Sequence, residues 1–145
     1  MIAQTRKKEL KKKVARKVAD NPLRKLKIWV LYPYLQTEDP NLQYYYDFTQ
    51  SLQEYTKVFT ELNADWIWQP VTMQNYREII EGIKKRSARK IPLVLNLCDG
   101  DEVNGTPGVS VIAELEKNRL IYTGSDTHYY NITTSKIPMT EAFDK

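Results

Sequence analysis

Apolar positions along this chain alternate between two rhythms, short continuous runs and a three-to-four-residue period. "LKIWVLYPY" (Leu26 to Tyr34) is an apolar, β-rich run closed by Pro33 and predicts a buried first strand. "LQTEDPN" reads as a loop. From Leu42 to Asn63, Tyr45, Phe48, Leu52, Tyr55, Phe59 and Leu62 recur at spacings of three and four, which predicts one long amphipathic helix. "DWIWQPV" (Asp65 to Val71) predicts a short second strand, weakened in its second half by Pro70, with Trp66 and Trp68 on one face in the core. "TMQNYREIIEGIKKRS" predicts a second helix with Thr72 as N-cap and Tyr76, Ile79, Ile80 and Ile83 on one face. "IPLVLNLC" (Ile91 to Cys98) is apolar at both parities and predicts a central strand of a parallel sheet. A helix over Val109 to Asn118 and a strand over Leu120 to Gly124 follow. "SDTHYYNIT" predicts a short helix capped by Ser125 or Asp126. "SKIPMTEAFDK" starts a last helix, with Pro138 tolerated in its first turn.

Strand and helix therefore alternate four times. That pattern predicts the α/β class: a Rossmann-like, open, mostly parallel sheet of four strands, with helices on both faces and right-handed crossovers. The 145 residues suffice for one domain with a real core and are too few for two ordinary ones. The expected division is a basic helical arm over residues 1–25 and the Rossmann-like domain over residues 26–145. No apolar run approaches the ~20 residues that span a bilayer. The N-terminus lacks the apolar core of a secretory signal. Cys98 is the single cysteine, so an intramolecular disulfide is excluded and a cytoplasmic location is expected.

Charge changes the picture at one end. Residues 1–27 hold eleven Lys/Arg against two acids, a net +9, whereas residues 28–145 hold eleven against sixteen, a net −5. The basic segment "TRKKELKKKVARKVAD" is built of good helix formers, with Leu10, Val14 and Val18 spaced by four as a narrow apolar stripe. Three readings stand for it: a solvated or loosely docked arm, a contact with a polyanion or an acidic membrane surface, or an organelle transit peptide.

Candidate chemistry concentrates in "LVLNLCDGDEVNGTPG" (Leu93 to Gly108), where an apolar strand turns abruptly acidic and glycine-rich. In an open α/β sheet ligands bind beyond the carboxyl ends of the strands, so this loop is in the right place for a site. A calcium loop counted from Asp99 would need an oxygen ligand where Val103 stands, Gly where Asn104 stands and Glu where Ser110 stands. A phosphate cradle would need another glycine spacing or a following Lys, and three acids repel phosphate. Another metal site has weak support, because one carboxylate cluster lacks His or Cys partners. Recognition of a polar or cationic ligand, and a structural turn in which Asp99 and Asn104 bond nearby amides, both remain open. Elsewhere, the lone His128 reads as a surface or helix-end residue, Cys98 as a buried inert thiol, and Tyr44, Tyr45 and Tyr46 as core and rim packing on one helix.

The stretch "NLCDGDEVNGTPGVSVIAELEKNRLIYTGSD…TTSKIPMTEAFDK" resembles the end of the N-terminal domain of ATP-grasp ligases of the D-alanine–D-alanine ligase type. Its most specific parts are "YTGSD" and the spacing from there to Lys136. The resemblance covers residues 91–145; the earlier part matches only as a fold pattern. It implies a substrate-side, pre-ATP-grasp domain of an ATP-dependent carboxylate–amine ligase, whose reaction forms an acyl phosphate that an amine attacks. It implies that Asp99, Gly100, Asp101, Glu102, Asn104 and Gly105 line the cleft for a small amino-acid-like substrate, and that Lys136 meets an ATP phosphate. Most ATP contacts and the Mg2+-binding acids belong, by the same resemblance, to the ATP-grasp catalytic domain, and a homodimer through the N-terminal domain is a family habit. The chain departs from the pattern where Ser135 replaces an Asp, and where "YPYLQTEDP" replaces a glycine-rich loop with a substrate-binding Glu. The isolated chain is expected to be a fragment or a split subunit, not catalytic alone. Two further function classes stand beside this one: a stand-alone α/β module for a small cationic ligand, and an adaptor whose basic arm docks on a polyanion.

Overall fold

The computed structural model describes residues 21–133 and 136–143. Residues 1–20 of the basic arm expected over residues 1–25 lie outside them. A 3-10 turn over Pro22–Lys25, capped by the Asn21 side chain on the Leu23 amide, leads into β1 (Leu26–Pro33). The chain continues through α1 (Pro40–Tyr45), α2 (Thr49–Glu61), β2 (Trp66–Val71), α3 (Tyr76–Arg86) and β3 (Ile91–Asn96). A second 3-10 turn (Glu102–Asn104) precedes α4 (Val109–Lys117), β4 (Ile121–Tyr122), α5 (Thr127–Thr133) and α6 (Lys136–Phe143). The four strands form one sheet in the order β2-β1-β3-β4, and every pairing is parallel. The chain first moves outward from β1 to β2, then returns past β1 to β3. The strand order thus reverses between β1 and β3, and their carboxyl ends flank the crevice where such sheets bind ligands.

Period-two alternation sorts the strand residues onto two faces. Trp29, Leu31 and Val94 point to one face and are fully buried beneath α3 and α4, which contribute Ile80, Ile83, Val111 and Leu115. The Trp29 indole donates to Ser87 Oγ at 3.0 Å, and Ser87 donates to the Ile83 carbonyl at 2.7 Å, so the largest core ring is tied to the end of α3. Ile28 and Val30 point to the other face, where Phe59 and Tyr55 of α2 pack against Trp66 and Trp68.

Three expectations need correction. The single helix predicted from Leu42 to Asn63 is two helices. Asp47 accepts from the Thr49 amide at 2.9 Å and also from its hydroxyl, an Asx-type start signal that restarts the chain as α2. Those same bonds hold the Asp47 carboxyl below its usual range. The periodicity continued through the break because one apolar stripe happened to run into the next. Tyr44 and Tyr45 are consequently not core: they are 86% and 75% exposed on α1. Trp66 and Trp68 are half-buried, not enclosed, because β2 is an edge strand with α2 over one face only. That edge position is also why Pro70 sits within the strand, opposite Tyr32.

Candidate functional site

β3 delivers the acidic loop to the crevice. Its pairing with β1 extends past Asn96, since the Leu97 amide donates to the Leu31 carbonyl at 2.8 Å. Asn96 Oδ1 then accepts from the Cys98 amide at 3.1 Å, turning the chain outward. The Cys98 thiol stays inside, 1% exposed, and is pushed up to about 12, first by burial and then by the charge of Asp99. It is therefore a protonated packing group, as the sequence suggests.

Beyond Cys98 the loop closes on itself. The Gly100 amide donates to the Pro107 carbonyl at 2.9 Å, and Gly108 passes directly over the Gly100 carbonyl. A Cβ on Gly100 would lie 2.6 Å from Thr106 Cβ, and one on Gly108 would overlap the Gly100 carbonyl, so both approaches demand glycine. Thr106 is sealed beneath this crossing, 1% exposed.

The acids divide by role. Asp101 accepts from the Val103 amide at 3.0 Å and from Asn104 Nδ2 at 2.7 Å, capping the 3-10 turn. Glu102 reaches forward to α4. Its Oε1 accepts from the Ser110 amide at 2.6 Å and the Gly108 amide at 3.2 Å, and its Oε2 accepts from Ser110 Oγ at 2.8 Å. A carboxylate so placed satisfies donors left open by the first turn of α4 and complements the helix dipole. Gly105, at φ +83°, ends the 3-10 turn in the left-handed region. Asp99 differs: it is exposed, and its carboxylate has no hydrogen-bond or ion-pair partner among the described residues.

Two depressions meet at Asp99. One, of about 590 Å³, is lined by Asp99, Gly100, Asp101 and Glu102, with Tyr130 of α5 opposite. The Tyr130 hydroxyl donates to the Gly100 carbonyl at 3.3 Å, and its pKa is raised first by burial and then by Asp99, Glu102 and Asp101. The other depression, of about 400 Å³, lies across the carboxyl ends of β1 and β3, between Pro33, Asn96 and Asp99 on the sheet side and Tyr45, Tyr46 and Phe48 on the other. Sequence reasoning missed this aromatic wall. The three-tyrosine run was visible, but only the break after α1 turns it toward the crevice.

Of the residues predicted for substrate, Asp99, Gly100, Asp101 and Glu102 come together around one depression, whereas Asn104 and Gly105 stand at the turn outside its lining. Lys136 is the first residue of α6, and its side chain lies outside what the structure describes. His128 is exposed on α5, and Asp126 caps that helix through the Tyr129 amide at 2.7 Å. No group of three or more His, Cys, Asp or Glu side chains suited to a metal ion occurs among the described residues. No described helix is long and apolar enough to cross a membrane. Comparison of the chain with family models, curated proteins and solved structures finds no match to any of them.

Proposed function

We propose that this chain is the substrate-side domain of an ATP-dependent carboxylate–amine ligase of the D-alanine–D-alanine ligase type, working with an ATP-grasp domain in cis or in trans. One observation carries the reading. At the reversal of strand order, the end of β3 presents over a preformed depression the Asp99 carboxylate, which has no partner among the described residues, while its acidic neighbours Asp101 and Glu102 are consumed in holding the loop. A carboxylate held this way suits an ammonium group, the charged end of an amino-acid-like substrate. The glycine crossing lets the ligand approach the backbone.

The same proposal assigns the nucleotide elsewhere. Three acids around one depression disfavour triphosphate, and no described cluster suits Mg2+. ATP and Mg2+ thus belong to the catalytic domain in this proposal, which would supply the acyl phosphate chemistry, with Lys136 as this chain's only assigned contact to a phosphate. What the described residues contribute is orientation: the negative end of β3 fixes the ammonium, and Tyr130 closes the side of the depression.

The test is to isolate the native gene product with whatever it is bound to and assay ADP release with panels of D- and L-amino acids. The proposal expects an associated or covalently continuous ATP-grasp domain and ADP release that depends on amino acid. A product of 17 kDa that carries no such domain and releases no ADP would overturn it. The second reading, a binding module for a small organic cation, is favoured by Tyr45, Tyr46 and Phe48 facing the same Asp99. It predicts ligand binding at micromolar concentration by the purified chain without any partner.

A further inference from the structure

Charge is sorted between the two ends of the sheet. The loops beyond the carboxyl ends of the strands, residues 34–48, 72–75, 97–108 and 123–126, hold seven acids and no Lys or Arg. The segments at the amino ends, residues 22–27, 61–65, 84–90 and 117–119, hold ten Lys or Arg and two acids. All pairings are parallel, so these basic segments meet at one end of the sheet. Leu26 lies beside Ile91 and Leu93 beside Ile121, which brings the starts of β1, β3 and β4 level on three neighbouring strands. At ~4.8 Å between strands, the loops that lead into them form a row ~10 Å wide at the backbone.

Part of this positive charge is used within the fold. Lys27 and Lys90 both pair with Asp65, Lys117 pairs with Glu114, and the Arg86 guanidinium lies 4.6 Å from the centre of the Trp29 ring. The C-terminal ends of α2, α3 and α4 also lie here, and each carries about half a negative charge. Arg24, Lys25, Lys84, Lys85, Arg89 and Arg119 remain. All six are exposed, and none of their side chains has a hydrogen-bond or ion-pair partner among the described residues. Glu61 is the one exposed acid in the same segments, so a surplus of positive charge is left facing solvent. Arg24, Arg89 and Arg119 put one guanidinium on each loop of the row, a planar fork that matches two oxygens of a phosphate. These segments contain no aromatic residue on which a base could stack. Membrane-surface elements add large apolar side chains that enter the lipid, whereas the tips of the row are Arg24-Lys25, Ser87-Ala88-Arg89 and Asn118-Arg119. A phosphate backbone therefore fits this surface better than a bilayer does.

We infer that the amino end of the sheet is a docking surface for the phosphate backbone of a nucleic acid, with Arg24, Arg89 and Arg119 as phosphate contacts and Lys25, Lys84 and Lys85 flanking them. Contacts that stop at phosphate position the partner without reading its bases, so binding is independent of sequence. The crevice at Asp99 lies at the other end of the strands and stays open while the backbone is bound. The inference is independent of the ligase reading, since it concerns the amino and not the carboxyl ends of the strands.

The test is a fluorescence-anisotropy titration of the full chain with a labelled DNA duplex at several salt concentrations. Each phosphate contact contributes about 0.9 to the slope of log affinity against log salt. The full-length triple variant Arg24→Gln/Arg89→Gln/Arg119→Gln should therefore lower that slope by about 2.7 and weaken binding roughly tenfold or more at ~100 mM salt, equally on two unrelated sequences. The control Lys57→Gln/Arg77→Gln removes exposed charge outside these segments and should lower the slope by less than about 0.9. Any contribution from the rest of the chain is common to the three proteins and cancels in the difference. All five substitutions replace exposed side chains, so circular dichroism should stay that of the parent. Equal slopes for parent and triple variant would overturn the inference, as would a fall just as large in the control or a parent that binds no duplex at ~50 mM salt. Adsorption to phosphatidylserine vesicles without duplex binding would overturn it in favour of an acidic membrane surface.

Discussion

Asp99 and Glu102 stand in one short loop with the same charge, and the fold uses them in opposite ways. Glu102 spends both oxygens on Gly108 and Ser110, so Glu102→Gln removes charge-assisted bonds at a part-buried helix start. Such bonds contribute about 1.5–3 kcal/mol each, so thermal unfolding of Glu102→Gln should shift down by several degrees. Asp99→Asn removes nothing the described fold depends on, and its stability should stay within about 0.5 kcal/mol of the parent. If the two variants unfold together, the division of roles is wrong. No pattern rule separates these two acids in the sequence. The cap is eight residues away from its helix position, beyond the spacing of a capping box, and only the loop's crossing at Gly100 and Gly108 brings it there.

Asp65 gives a pH signature at the same scale. Its carboxyl accepts from Lys27 first and Lys90 second, and these hold its pKa below the ordinary 3.8. A depressed carboxyl pKa adds stability that is present above the unfolded value, here near 3.8, and is lost as pH falls through the lower folded value. Asp65→Asn should therefore flatten the loss of stability on acidification below about pH 4, with little effect on the slope above pH 5. An unchanged acid limb in denaturant titrations would show that the pair adds nothing.

At the scale of elements, long periodic stretches were legible and their junctions were not. The stripe of Tyr76, Ile79, Ile80 and Ile83 is the buried face of α3 because its period has no competing signal. Ile80→Ala should cost about 2–5 kcal/mol by opening a void against the fully buried Trp29 and Leu31, measurable by urea unfolding. The same logic misled over Leu42 to Asn63, where the local bond of Asp47 to Thr49 outweighs continuous periodicity. The apolar run of β3 predicted a strand buried on both faces. In the described structure one face is enclosed by α3 and α4 and the other is half open, a difference set by which helix lies above it and not by the strand's own residues.

At the scale of the molecule, the α/β alternation led directly to the open parallel sheet, since β-rich runs joined by helices leave few other arrangements. The location of the candidate site was also legible, because the carboxyl end of an interior strand follows from the element order alone. Its composition was legible only in part: the acids lie within one loop, whereas Tyr45, Tyr46 and Phe48 come from the connection between β1 and α2. The proposed role of the Asp99 end of β3 is to face a ligand bearing a cationic nitrogen. The most direct measurement is a nitrogen-15 chemical-shift titration of the purified chain with D- and L-amino acids and with simple amines. Shifts are expected to centre on the amides of Asp99 to Glu102 and to be lost in Asp99→Asn while the rest of the spectrum is kept. Shifts that persist in Asp99→Asn, or that fall at the opposite end of the sheet, would contradict it.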